Sequence, residues 1–361
     1  MEMIYIKVAI IGAGVSGLSC AFELRKHGCT PVVFEKQSQV GEPMNYTGMW
    51  ASNFIRHFGD PIYYIKKKYN LDIKPLCRYK EIIMKFPNGQ VNVKGNLGYI
   101  MERSSDIFSL ENQIARQADV NIIFNSAVKV EDIKNDFDYV VVAGGYHNPA
   151  DKLGIWSTTT ISHSRVTRVR GDFIPGVCKT WFNTEYANHS FCYLVPKSSK
   201  VATLAQILDS VQQNQYDSYW DRFITMEKLN YEVIEKKDTN HYSGIVSPMQ
   251  KENIFFIGNA AGLTDNFMGV GAYNAIISGI CAARSIINNL NYDKIMSPYR
   301  KDIIKLHELR KAVNTFKNEN FDMIGSVIGN SFVKQLIYLN PLFKMKHAAP
   351  VAKIYNWFKC H

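Results

Sequence analysis

The chain lacks any close pairing among its cysteines: all seven, Cys20, Cys29, Cys77, Cys178, Cys192, Cys281 and Cys360, lie scattered with no CxxC. That scatter argues against a structural zinc knot or a redox disulfide and fits a reducing cytoplasm. HExxH, metal-spaced His/Cys clusters and GxSxG are missing too, so no metal site and no serine nucleophile is expected. No uninterrupted apolar stretch is long enough to span a bilayer. The N-terminal apolar run has no basic leader, and Cys360 is penultimate, so neither a signal peptide nor a prenylation box is expected. The expectation is a cytoplasmic protein, either soluble or peripheral on a membrane. Internal repeats and low-complexity tracts are also absent.

Acidic charge is in deficit, with 42 Lys and Arg against 32 Asp and Glu and a net charge of +10. The excess concentrates at Lys66 to Lys68, at Arg165 to Arg170 and in the C-terminal tail. No nucleic-acid motif accompanies it, so nucleic acid is not an expected partner. Either a solvated basic surface or attraction to anionic lipid or an acidic partner accounts for it. The 361 residues, 46% of them hydrophobic, suffice for two intertwined domains or one elaborated α/β domain.

What the chain does have is Gly12-Ala13-Gly14-Val15-Ser16-Gly17 at the end of its first apolar run. Met3 to Ile11 reads as a buried strand, Val15 to His27 as a helix and Pro31 to Phe34 as the next parallel strand. The first glycine permits a tight turn, the second lets backbone approach a pyrophosphate, and the third lets helix pack on strand. Glu35 then stands where an acceptor for ribose hydroxyls belongs, followed by Lys36. The helix N-terminus offers free N–H groups to phosphate. The pattern implies a dinucleotide, FAD or NAD(P).

Beyond Lys36, Glu81 to Phe86 and Val91 to Val93 flank Pro87-Asn88-Gly89, a hairpin signal. A helix is expected from Ser104-Ser105 to about Gln117, with Asp106 in its first turn. Strands are expected at Asn121 to Phe124, Ala127 to Val130 and Tyr139 to Ala143. From Trp156 to Ala205 the chain reads all-β, and Leu208 to Phe223 returns to helical spacing. Ile254 to Ile257 is a short apolar strand ending in Gly258-Asn259-Ala260-Ala261-Gly262. Gly269-Val270-Gly271 opens a helix running to Asn289, and the remainder reads as helical with a break at Asn340-Pro341. This second glycine cluster favours FAD over NAD, because a helix N-terminus at the flavin N1/C2 edge would stabilise the negative charge of the reduced ring.

The run Ile254 to Gly279 resembles the Gly-Asp signature of geranylgeranyl-reductase-type flavoproteins, within the fold group of p-hydroxybenzoate hydroxylase. Tyr139 to Gly154 is similar to that family's Ala-Asp-Gly segment, and Phe191-Cys-Tyr-Leu-Val-Pro196 to its aromatic strand ending in proline. The resemblance covers roughly residues 4 to 290. It implies an α/β + β fold: a Rossmann-like FAD-binding domain with an inserted antiparallel β-sheet substrate domain and a C-terminal helical region. The implied division is 1–45, 98–155 and 245–290 for FAD, 46–97 and 156–244 for substrate, and 291–361 for the helical region. It also places Arg103 near the diphosphate and ribityl region, and adds Val128 and Gly144 to the cofactor candidates. Tyr46, Trp50, Phe191 and Tyr193 are candidates for the cavity beside the flavin, with Tyr46 or Tyr193, or simply water, as proton source.

The sequence departs from the family at four places. Asn259 stands where an aspartate binds a ribityl hydroxyl, a loss on the order of 1 kcal/mol. Gly144 replaces an acid, Asn266 replaces a proline, and Glu42 to Trp50 lacks the cysteine that some of these reductases carry.

The activity implied is reduction of carbon–carbon double bonds in an isoprenoid or lipid by hydride from reduced FAD. NAD(P)H, free reduced flavin or a ferredoxin-type protein is the electron donor. A monooxygenase of the same fold and a non-catalytic flavin- or lipid-binding protein are the alternatives. Three further features stay open. His147 is either near the cofactor or a surface residue, and Arg165, Arg168 and Arg170 either hold a lipid phosphate or form a solvated strand face. The tail carries Lys334, Lys344, Lys346, Lys353 and Lys359 among Phe332, Leu336, Leu339, Leu342, Phe343, Tyr355, Trp357 and Phe358. It is either a peripheral membrane contact or a lid on the substrate domain.

Overall fold

The computed structural model describes residues 6–55, 59–340, 342–350 and 352. The start of the expected first strand and, in the tail, Lys353, Tyr355, Trp357, Phe358, Lys359 and Cys360 lie outside them. With strands numbered along the chain, one sheet holds β1 (Val8–Ile11), β2 (Val32–Phe34), β6 (Ile122–Ile123), β7 (Tyr139–Val142), β13 (Gln250–Lys251) and β14 (Ile254–Phe256). Its order is β13-β14-β7-β1-β2-β6, parallel except between β13 and β14. Every residue of β1 is buried, as a fully apolar strand covered on both faces requires. The Val15–Lys26 helix packs on it through Gly17, where a Cβ would lie 2.0 Å from the Gly12 carbonyl oxygen.

The second sheet holds β3 (Tyr46–Ala51), β4 (Cys77–Phe86), β5 (Gly89–Arg103), β8 (Trp156–Arg170), β9 (Val177–Trp181), β10 (Phe191–Pro196), β11 (Val201–Asp209) and β12 (Glu232–Val246). Its order is β12-β8-β11-β10-β9-β4-β5-β3. The expected antiparallel sheet needs one correction: β4 and β9 pair parallel. They come from distant segments that no hairpin joins, so nothing local imposes opposite directions. The Pro87-Asn88-Gly89 hairpin between β4 and β5 forms as expected.

Other expectations are overturned locally. The helix expected from Ser104 is Leu110–Ala118, because the Ser109 hydroxyl caps it by accepting from Asn112 N. Asp106 instead accepts from Phe108 N and pairs with Lys197. Ala127 to Val130 is not a strand, and Val130 opens a short helix with Glu131 and Asp132 in its first turn. Leu208 and Asp209 complete β11, so the following helix is confined to Tyr216–Met226.

The main core surrounds the first sheet. A second lies where the Asn318–Gly329 helix covers β4 and β5 through Phe321, Ile324 and Ile328. Phe321 is 3% exposed, worth about 1.5–3 kcal/mol in burial. Among the described residues no helix is long and apolar enough to cross a membrane.

Candidate cofactor and substrate site

A cavity of about 1480 Å³ runs between the two sheets, from the first glycine turn to the C-terminal helices. Gly12, Ala13, Gly14 and Ser16 line one end. Gly12 has φ of 108°, a conformation glycine tolerates without strain. The Val15–Lys26 helix starts from Gly14 with neither a side-chain cap nor an acid in its first turn, so its amides and positive dipole end face the cavity unneutralised. Glu35 is 9% exposed; its Oε2 accepts from Ala13 N at 2.7 Å and its Oε1 from Gln37 N at 2.9 Å. A carboxylate has about four lone-pair sites, so both oxygens retain capacity for ribose hydroxyls.

Lys36 places its ammonium 5.6 Å from the centre of the Tyr146 ring. Val128 lines the same end on a loop that Ser126 N ties to the Glu35 carbonyl at 2.8 Å. Gly144 lines it too, and a Cβ there would lie 2.3 Å from the Tyr146 ring, which occupies the room a larger residue would need. Gly17 and Gly258 do not line the cavity. Both serve close packing: a Cβ on Gly258 would lie 2.6 Å from Ser16 Oγ.

The second glycine cluster forms the cavity's other polar wall. Asn259 accepts from the Thr264 hydroxyl, and Gly269, Val270 and Gly271 lead into the Ala272–Asn288 helix, which again has no side-chain cap and no first-turn acid. Asp265, absent from the sequence candidates, organises this loop. It is 1% exposed and accepts from Phe267 N at 3.0 Å, Met268 N at 2.7 Å and Val270 N at 2.7 Å. Burial pushes its carboxyl up to about 6 against the pull of those amides. The signal was an aspartate ahead of Asn-Phe-Met-Gly, which is turn chemistry. Asn266 donates to the Thr160 hydroxyl at 3.2 Å and meets His307 Nδ1 at 2.6 Å.

Tyr46, Trp50, Phe191, Tyr193 and Arg103 all line the cavity. Arg103 donates from Nε to Glu111 and from Nη1 to the Tyr46 hydroxyl at 3.3 Å. Burial works against its charge, but Glu111 and Tyr46 outweigh that and hold the guanidinium above its usual value. Trp50 is buried edge-on against Tyr273 at 6.2 Å, and Phe191 lies 6.1 Å from Tyr193. Burial raises the Tyr193 phenol well above its usual value, so it holds its proton.

The three arginines neither face solvent together nor stand open to phosphate. Arg168 is 6% exposed; it donates to Glu102 Oε1 at 2.7 Å, to Thr47 Oγ1 at 2.8 Å and to Asn45 Oδ1 at 2.8 Å. Lys197 also reaches Glu102, at 3.1 Å. Arg165 is taken by Asp238 and Asp217, and Arg170 by Glu232. His147 packs at 4.5 Å from Tyr242 and 5.3 Å from Trp156, off the cavity. Among the described residues no group of His, Cys, Asp and Glu could hold a metal ion.

The model of an NAD(P)-binding Rossmann-like domain matches residues 10–53. Digeranylgeranylglycerophospholipid reductase 1 of Methanococcoides burtonii is 22% identical over 331 residues, covering 81% of this chain and 78% of that protein. Among solved structures, a geranylgeranyl bacteriochlorophyll reductase-like protein of Thermoplasma acidophilum aligns over 98% of this chain and 97% of its own, with a TM-score of 0.73 and 16% identity. A flavin-dependent brominase aligns over 98% and 99%, with a TM-score of 0.70 and 14% identity. The resemblance read from the glycine motifs is thus matched by relatives and by fold.

Proposed function

We propose that this chain is an FAD-dependent oxidoreductase that reduces carbon–carbon double bonds of an isoprenoid or similar lipid. One observation carries the reading: a single cavity of about 1480 Å³ joins the dinucleotide cradle to an apolar chamber. A site for one small molecule typically runs about 300–1,000 Å³, so this space suits a long cofactor together with a second ligand. The chamber beyond the cradle is walled by Tyr79, Met84, Phe86, Phe182, Phe321 and Ile328, which offer hydrocarbon to hydrocarbon.

The residues present fit FAD. Two uncapped helix N-termini open on one cavity at separate points, one suited to a pyrophosphate and one to a ring that becomes negative on reduction. When bound, reduced FAD supplies the hydride. The protein's own share is placement. Glu35 offers acceptors to ribose, and Arg103, fixed by Glu111, presents a cation that does not swing away. Trp50, Phe191 and Tyr193 orient an alkene and keep water out, which matters when no carbonyl activates the double bond. Tyr193 keeps a proton at its hydroxyl, available to a carbon that becomes strongly basic.

The same reading takes NAD(P)H or a ferredoxin-type protein as electron donor and an anionic membrane as the surface from which lipid enters. Ile337 and Tyr338 line the chamber, while their neighbours Phe332 and Leu342 are 73% and 80% exposed around Lys334. The segment therefore supports both roles left open by the sequence, a cover over the chamber and an apolar outer face.

The test incubates the protein with its co-purified lipids and reductant, then weighs those lipids by mass spectrometry. Gains in steps of two hydrogens support the reductase. A gain of one oxygen would replace it with a monooxygenase, and no change in any lipid with a reducible flavin present would leave a binding protein.

A further inference from the structure

Register sets three polar side chains in one row on the chamber wall. Asp209 at the end of β11 pairs with Ser162 of β8, and Ser162 pairs with His241 of β12. Directly paired residues on adjacent antiparallel strands share a sheet face, and all three line the cavity. Strand spacing puts the two outer Cα atoms roughly 10 Å apart, with the serine between them. The next row along, Thr160 with Ser243, touches the second glycine cluster through Asn266.

Hydrogen bonding in this row is incomplete. Asp209 is 2% exposed; its Oδ2 faces Arg310 Nη1 at 3.4 Å, while its Oδ1 has no partner. Arg310, equally buried, is held by Asn314 Oδ1 at 2.7 Å and by the His189 carbonyl. His241 Nε2 also has no partner. Buried polar atoms are normally satisfied, and each left unmade is a standing cost that a ligand relieves.

Charge decides which ligand does so. Arg310 balances Asp209, and burial lowers the His241 pKa against the pull of Asp209, so the imidazole is neutral and the recess carries no net charge. A phosphate or carboxylate would meet the bare oxygen of Asp209. A plain hydrocarbon end would leave both groups unpaired. A hydroxyl donates to Asp209 Oδ1 and accepts from Ser162 or His241.

We propose that the Asp209–Ser162–His241 row is a subsite for the hydroxyl group of an otherwise apolar ligand, with Arg310 as the positioning residue that holds Asp209. The inference rests on the chamber being a lipid site, and it narrows the ligand to an uncharged alcohol.

Isothermal titration calorimetry of the flavin-loaded protein with farnesol, farnesyl methyl ether and farnesyl monophosphate tests it. Farnesol is expected to bind about tenfold to a hundredfold tighter than the ether, the worth of one charge-assisted hydrogen bond. Asp209→Asn should narrow the gap between alcohol and ether, and His241→Phe, which removes a donor that both ligand oxygens can use, should weaken alcohol and ether together. If Asp209→Asn, which disturbs Arg310, fails to fold, the alcohol–ether gap in the unaltered protein carries the test, with the joint weakening in His241→Phe placing the ligand oxygen at this row. Equal binding of alcohol and ether, or preference for the monophosphate, overturns the subsite and leaves the chamber standing. No binding of any of the three overturns the chamber and the subsite together.

Discussion

Two alanine substitutions three residues apart should separate cofactor binding from folding. Gly14 has extended backbone, φ −81° and ψ −179°, and a Cβ there meets nothing within 4 Å. Alanine fits that conformation and restricts the unfolded chain, so Gly14→Ala should leave stability unchanged or raise it by up to about 1 kcal/mol. Its methyl group would nevertheless stand on the cavity wall, where a pyrophosphate must approach the amides. Losing one charge-assisted contact of about 1.5–3 kcal/mol weakens FAD binding roughly tenfold to a hundredfold. Gly17→Ala behaves oppositely. Its Cβ would lie 2.0 Å from the Gly12 carbonyl oxygen and 3.1 Å from Ala143 Cβ, and the nearer obstacle is backbone that cannot swing aside. Helix and strand must separate, with a cost at the upper end of overpacking, about 3 kcal/mol. Urea denaturation after flavin removal measures the first quantity without ligand linkage, and quenching of flavin fluorescence on titration measures the second. If Gly14→Ala bound FAD as the wild type does, or Gly17→Ala unfolded at the wild-type midpoint, the assignment of these glycines would be wrong.

Three further outcomes are expected. Arg168→Met strands Glu102, 2% exposed, with only Lys197 left as a cation, and should cost about 3 kcal/mol in urea denaturation. Adding Glu102→Gln should recover much of that, and a double variant no more stable than the single one would count against the network. For Asp265, the folded pKa of about 6 lies above the unfolded 3.8, so its stabilisation is complete below about pH 4 and is lost as pH rises through 6. That loss is on the order of 3 kcal/mol. Asp265→Asn should remove this part of the slope, and identical slopes for both proteins between pH 4 and 6 would contradict it. Replacing Phe332 and Leu336 with serine should lower flotation with anionic vesicles more than tenfold, and unchanged binding would exclude the membrane contact.

The first βαβ unit was legible because its information is local. Apolar strand, glycine turn, helix and Glu35 follow one another within a few dozen residues, each element carrying its own periodicity. The same holds for the hairpin at Pro87-Asn88-Gly89 and for the second glycine cluster. Reading failed where local pattern and tertiary burial disagreed. Glu232–Val246 is largely exposed and polar, so nothing in it announced a long strand; it exists because β8 offers it a partner. Leu208 and Asp209 suited a helix by spacing, yet pairing with β8 drew them into β11.

The chain by itself determined a dinucleotide cradle, the turn residues that shape it and the apolar aromatics that pack near it. Only the tertiary structure decided which charges are spent inside the protein and which are left over. Arg168 meets Glu102 across 66 residues, Arg310 meets Asp209 across about a hundred, and Asp209, Ser162 and His241 share a row drawn from three strands. The reason is register: a shift of one residue in any of those strands would turn its side chains to the opposite face, and no short window of sequence records that alignment.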